Sequence, residues 1–206
     1  MMNAATGITY KRKLVTAPAT EPVTTVEAKT WLYITGADHD TLVANLVKAA
    51  RQKIETDYDC ALINQTWDIY LDEFPEANYM NEDGVIEPVL YPISSITSLK
   101  YIDTAGTEQT WLSSNYTLEN MLAMPARIHK AYDVSYPDTR GIQNAVTIRL
   151  VAGFGPSASD VPEPIRTAIL LMVKLWYDNP EDMRLAGMPC ERSAKALLNN
   201  YFTWRI

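Results

Sequence analysis

Cysteine and histidine are scarce, with two of each: Cys60 and Cys190, His39 and His129. Two distant cysteines make no disulfide framework, and their scarcity fits a reducing compartment. No Cys-x-x-Cys occurs, so clustered thiolate ligands for zinc are excluded. Asp57-Tyr58-Asp59 lacks the glycine and the later glutamate of a calcium loop. No metal and no cofactor are expected. Nucleophilic catalysis needs a nucleophile, a base and a group that orients the base. His39 stands between Asp38 and Asp40 near a helix start, and His129 stands in Arg127-Ile128-His129-Lys130. Neither lies in a nucleophile motif, and no Gly-x-Ser-x-Gly occurs. Asp72-Glu73 offers two carboxylates, but adjacent strand residues point to opposite faces, and Pro75 marks a solvated turn. No catalytic residue is assigned and an enzyme is not expected. A hydrolase using Asp72, Glu73 or His129 is the alternative from that class.

Positive charge is also short, at 18 basic against 25 acidic side chains, a net of −7. A general DNA coat is excluded, because phosphate binding rests on Lys and Arg. Gly153-Phe154-Gly155 precedes Pro156 and lacks both the GxGxxG spacing and a P-loop lysine, so it reads as a hinge. The tryptophans do not interleave with a basic patch, which disfavours single-strand stacking. No membrane span is expected: the apolar run Ile169–Trp176 contains Lys174 and is far below the roughly 20 residues a span needs. With no signal-like apolar run before Lys11-Arg12-Lys13, a soluble protein made in a cytoplasm is expected. Residues 55–133 hold most of the acids and only Lys100, Arg127 and Lys130 as bases. That stretch is a solvated acidic surface or, more pointedly, a wall that keeps a DNA duplex from sticking.

What is present is enough to fold. The 206 residues are 47% hydrophobic and 21% charged, as in ordinary globular chains. Residues 1–23, rich in Thr, Ala and Pro, read as a flexible arm. Thr24-Thr25-Val26-Glu27 fits a capping box opening a short helix, with Ala28, Trp31 and Leu32 inward and Gly36 as its stop. Asp38 or Asp40 then caps a longer helix in which Leu42, Leu46, Ala50, Ile54 and Tyr58 recur, with Val43 and Val47 beside them. The period changes at Leu62. Trp67, Ile69 and Leu71 alternate with Asp68, Tyr70 and Asp72, as in a half-buried strand. Residues 96–102 and 108–112 flank the turn Asp103-Thr104-Ala105-Gly106. Residues 116–119 and 127–129 are weaker strands, and Val146, Ile148, Leu150 and Ala152 alternate cleanly. Helices return with Asp160 as a cap, a helix over 165–177 that is apolar nearly all round, and a last helix carrying Ala194, Leu197, Leu198 and Tyr201.

The pattern predicts an α+β fold: a small helical bundle from the N- and C-terminal helices with an antiparallel β insertion in the middle. A single domain is expected over residues 24–206, with a helical part at 24–60 and 160–206 and a β-rich insertion at 61–155. An all-round apolar helix in so small a chain must bury more than one side. Ile169, Met172, Leu175 and Trp176 are therefore candidates for a subunit interface. The run Tyr201, Phe202, Trp204, Arg205 and Ile206 is bulky and apolar for a chain end, so it wants its own core or a partner.

The order of these pieces resembles the head–tail connector (adaptor) proteins of long-tailed bacteriophages over most of the chain. Pro22-Val23, Glu27-Ala28-Lys29 and residues 40–50 are similar to the opening helices of that family. Residues 61–67 are similar to its entry to the β insertion, and residues 95–103 with Gly106 to its central hairpin. Asn144-Ala145-Val146 and residues 151–155 match its strand-to-hinge passage. Val161-Pro162, Ile165-Arg166, residues 168–171 and Trp176-Tyr177 match its long helix, and residues 201–206 its aromatic–basic tail. The acidic balance, Lys11–Lys13 and the 183–190 loop depart from the pattern. The resemblance implies a structural virion protein in the neck, assembled in the host cytoplasm. It implies a ring of about twelve subunits, a dodecamer, that docks on the portal protein and extends the DNA channel used in packaging. Head-closure or tail proteins would join it, and DNA would pass without sequence-specific binding. On that resemblance Tyr201, Phe202, Trp204, Arg205 and Ile206, with the last helix, are the candidates for docking on the portal. A tail-completion or neck protein on the tail side is the structural alternative.

Overall fold

The computed structural model describes residues 10–76, 84–119, 126–180 and 189–202. Seven strands are present: β1 (Lys11–Thr16), β2 (Gln65–Leu71), β3 (Ile93–Ile102), β4 (Glu108–Trp111), β5 (Tyr116–Glu119), β6 (Arg127–Lys130) and β7 (Val146–Ala152). Four α-helices accompany them: α1 (Thr25–Leu32), α2 (Asp40–Asp57), α3 (Glu163–Asp178) and α4 (Pro189–Phe202). The fold is α+β as the patterning predicts, with antiparallel strands between the α1–α2 and α3–α4 pairs and one further strand, β1, ahead of α1.

The chain divides into two compact units, Met1–Ala17 with Asn64–Gly153 and Pro18–Ile63 with Phe154–Ile206. Residues 61–63 and 154–155, expected with the β insertion, therefore belong with the helices.

In the first unit β1-β2-β7-β3-β4 form a five-stranded sheet, antiparallel throughout, and β5 pairs with β6 in a separate hairpin. β7 has two neighbours, and its Val146, Ile148, Leu150 and Ala152 are fully buried. Ile69, Leu71, Ile93 and Leu99 complete that core from β2 and β3. Between β3 and β4 the Asp103–Gly106 turn forms as expected. The Gly106 amide donates to the Asp103 carbonyl at 2.9 Å, and Gly106 takes a φ of +89°, a left-handed conformation that favours glycine. A side chain there would also run into the Arg140 guanidinium.

The expected flexible arm is corrected over part of its length. Lys11–Thr16 is the outer strand of the sheet, paired with β2 from Lys11↔Tyr70 to Thr16↔Thr66. Before it, Tyr10 is buried and its hydroxyl accepts from the Glu87 amide at 3.1 Å. All six β1 side chains are exposed, so no hydrophobic alternation marks the strand. Residues 1–9 lie outside the described residues. Residues 18–23 belong with the helices, and Val23 is buried. Two arginines hold this segment. Arg51 donates to Glu21 at 2.6 Å and pairs with Glu55. Arg166 donates to the Pro22 carbonyl at 3.0 Å and pairs with Glu163 and Glu27.

In the second unit the Thr24 capping box is present. The Glu27 amide donates to the Thr24 hydroxyl at 3.1 Å, and the Thr24 amide donates to the Glu27 carboxylate at 2.8 Å. The other cap assignments change. Tyr33, not Gly36, ends α1, with a left-handed φ of 59° and its amide bonded back to the helix. His39 precedes α2 without a side-chain cap, while Asp40 in the first turn pairs with Lys29. Pro162 precedes α3, and Asp160 instead accepts the Ser157 amide at 2.8 Å within the preceding turn. α3 packs on α1, α2 and α4, which is why its sequence is apolar on so many sides.

Candidate functional site

α2 carries two apolar stripes. Val43, Val47, Ala50 and Ile54 are fully buried. Leu42, one residue away from the first stripe, is 48% exposed, and Leu46 is half-buried. α3 repeats the arrangement: Ile165, Ala168, Ile169 and Val173 are fully buried, while Met172, Leu175 and Trp176 form another flank. The surplus stripes of the two helices, with Leu198 of α4, line an open apolar groove of about 760 Å³ within the helical unit.

The charged residues on the groove are matched locally. Lys53 bonds Asp57 at 2.8 Å and Lys195 bonds Glu191 at 2.9 Å, each one helical turn apart. The hydrogen bond to Glu191 raises the Lys195 pKa. At another part of the lining the Tyr177 hydroxyl lies 3.2 Å from His39 Nδ1, with the rings edge-on at 5.7 Å. A groove that is apolar within and self-neutralised at its charged groups suits protein contact by shape and hydrophobic burial.

The expected interface residues separate on this geometry. Met172, Leu175 and Trp176 line the groove, but Met172 and Leu175 are only 8% and 4% exposed and form its floor, so the half-buried Trp176 offers most of the accessible surface. Ile169 is fully buried, so it is a core residue and presents nothing to a partner. The aromatic tail separates too. Phe202 is buried and stacks on Tyr58 at a centroid distance of 4.8 Å, so its ring is engaged within its own helical unit. Tyr201 is half-buried. Trp204, Arg205 and Ile206 lie outside the described residues. Sequence reasoning misplaced Trp31, which is 40% exposed on α1 and not inward, and Leu42. Its four-residue spacing to Leu46 put it on the core face, whereas the Val43/Val47 stripe takes that place. The signal was the surplus itself: two adjacent apolar stripes on one helix exceed what one core face needs.

The residues weighed for catalysis are dispersed, and His129 and Asp72 each have a partner that explains them. His129 Nε2 lies 2.9 Å from Glu119 across the β5–β6 hairpin. Asp72 accepts the Asn144 amide at 2.8 Å and pairs with Lys11, and these bonds, the amide first, hold its carboxyl below the usual range. Glu73 is exposed in the turn that follows β2. Among the described residues no three of His, Cys, Asp and Glu come together as a metal site. No described helix is long and apolar enough to cross a membrane.

The acidic middle stretch meets cations in the sheet. Asp68 receives two bonds from Arg149, at 2.7 and 2.8 Å, and these hold its carboxyl below the ordinary range against the opposing effect of burial. Arg127 bonds Glu87 and Lys100 bonds Glu108. Asp68, Glu87 and Glu108 are therefore each paired with a cation of the same unit, and the rest of the stretch keeps its negative excess.

No protein-family model matches the chain, and no curated protein does. Solved structures with the same fold do exist. A chain in the neck of an empty GTA particle, computed with C6 symmetry, superposes with a TM-score of 0.78 at 22% identity, over 95% of this chain and 97% of that one. A chain from the virion of a native gene transfer agent (GTA) particle gives 0.75 at 23% identity, over 95% and 96%. A chain in the neck of a native GTA particle, computed with C12 symmetry, gives 0.72 at 24% identity, over 95% and 97%. At these identities the likeness establishes the fold.

Proposed function

We propose that this protein is a structural neck component of a phage-like particle: a head–tail connector that forms a ring, docks under the portal and joins the capsid to head-closure or tail proteins. The observation that carries the reading is the superposition of nearly the whole chain on chains from GTA necks at a TM-score up to 0.78. The symmetries of those necks, C6 and C12, favour a closed ring of about twelve copies with head-to-tail contacts. The groove, with Met172, Leu175 and Trp176 on α3, supplies surface for such contacts. On this reading the protein is not an enzyme, DNA passes through the ring without sequence-specific binding, and the finished particle holds the ring at its neck after assembly in the host cytoplasm. The segment after α4, with Trp204, Arg205 and Ile206, is the portal-docking element, with Tyr201 at its base.

Native mass of the full chain, alone and mixed with a portal ring from the same particle, tests the reading. A closed ring near twelve copies, formed alone or on the portal, supports it. A chain that stays monomeric and ignores the portal overturns it, and co-purification with tail tube instead of portal moves the protein to the tail side. Trp204→Ala combined with deletion of Ile206 abolishes portal binding and leaves the far-UV circular dichroism unchanged. Undiminished binding would remove the tail from the docking surface.

A further inference from the structure

α1 presents an outward stripe that the fold does not use. Ala28 and Leu32 bury its inner side. Val26 and Thr30, at i and i+4, share another face, and Tyr33 follows at the helix end, with Val26 74% and Tyr33 92% exposed. The polar groups near this stripe are already engaged. The Thr30 hydroxyl donates to the Val26 carbonyl at 2.9 Å, Glu27 is held by Thr24 and Arg166, and Lys29 by Gly36 and Asp40. The stripe is therefore neutral, and desolvating it leaves no charge without a partner.

Tyr33 is the sharper clue. It ends α1 at a φ of 59°, the left-handed conformation where glycine is the usual choice and a bulky residue is disfavoured. The left-handed turn closes α1, since the Tyr33 and Ile34 amides bond back to Lys29, but glycine would serve there and the nearly fully exposed ring adds nothing to the core of its own chain. A bulky residue kept where glycine is favoured points to a role for its side chain outside its own fold.

We propose that the Val26–Tyr33 stripe of one copy seats in the α2–α3–α4 groove of the next, and that this pair of surfaces closes the ring. The inference rests on the ring reading above and names the contact that reading requires. A head-to-tail ring needs two different complementary surfaces on every copy. Both are present in one compact unit: α1 packs on α2 and α3 and contributes nothing to the groove lining, which comes from α2, α3, α4 and the segment after α3. A short helix with exposed anchors towards its two ends is a shape that a three-helix groove accepts. Charge agrees with the pairing, since the stripe is neutral and the groove's lysines are matched by Asp57 and Glu191. The contact is hydrophobic, with Tyr33 as its aromatic anchor.

The experiment uses the full chain under the condition, alone or on the portal, in which the wild type forms its ring. Tyr33→Gly relieves the backbone strain, so the variant melts no lower than the wild type, while the concentration for half-assembly rises about ten-fold or more. Val26→Glu gives the same loss of assembly through a second residue. Benzoylphenylalanine at position 33, in rings mixed from isotopically light and heavy copies, cross-links between copies to peptides carrying Leu42–Leu46 or Leu175–Trp176. Rings that form as readily in both variants, or cross-links that fall elsewhere or on the portal, overturn this contact and leave the ring reading standing. A wild type that forms no ring alone or with portal overturns both.

Discussion

Phe202 stacks on Tyr58 with ring centroids 4.8 Å apart and planes 30° apart, tying the end of α4 to the end of α2. The contact buries an aromatic side chain beside the groove, because Tyr58 is itself part of the lining. It decides whether α4 can serve as a groove wall. Phe202→Ala removes most of the buried ring and lowers stability by about 3 kcal/mol. Hydrogen exchange is the discriminating measurement. Protection should fall across α4 and stay intact in α1, α2 and α3, as expected when a terminal element undocks as a unit. Equal loss of protection in all four helices would show that α4 does not undock separately.

The elements were legible wherever one face was buried and the other wet. β7 and α2 announce themselves by period, and the Thr24 capping box and the Asp103–Gly106 turn by residue chemistry. What failed to show has a physical reason in each case. β1 has no period because every side chain is exposed, so its ladder to β2, and no buried face, makes it a strand. Asp68 reads as a solvent-facing residue by alternation, yet it is buried, because its cross-strand neighbour Arg149 reaches it with two hydrogen bonds. The apolar surplus of α3 was visible, but assigning Ile169 to the core and Met172 to the groove needed the positions of α2 and α4. The left-handed Tyr33 gave no sequence signal, since Gly36 three residues later looked like the natural stop.

Asp68 gives the protein an acid-sensitive contact in its sheet. Its side chain is 8% exposed, and the hydrogen bonds from Arg149 lower its pKa from the ordinary 3.8. A carboxyl whose folded pKa is depressed adds stability that is fully present above its unfolded value and lost as pH falls through the folded value. The protein therefore becomes less stable as pH drops below about 3.8. Arg149 is itself 45% exposed, so solvent screening keeps the contribution small at neutral pH. Urea denaturation of Asp68→Asn and wild type at pH 7 and at low pH checks the sign. The gap should be widest at pH 7 and close in acid, and a gap independent of pH would assign the cost to packing, not charge.

Leu42 and Val43 are adjacent on α2, and one change of chemistry should affect them oppositely. Val43 is fully buried, so Val43→Asn loses the transfer energy of an aliphatic side chain and buries an amide among apolar neighbours, for a cost of about 3 kcal/mol or more. Leu42 is 48% exposed on the groove, and Leu42→Asn leaves its amide in water at a cost within about 1 kcal/mol. Helix propensity works the other way, since Leu is a better helix former than Val, so the larger cost at Val43 comes from burial. Assembly reverses the ranking between these two positions: Leu42→Asn folds like the wild type yet raises the concentration at which the ring forms. Thermal melts and native mass of the two variants, run side by side, read both effects. Equal destabilisation would place Leu42 in the core and leave the groove with one apolar wall fewer. An unaltered ring would mean that the second stripe of α2 faces no partner.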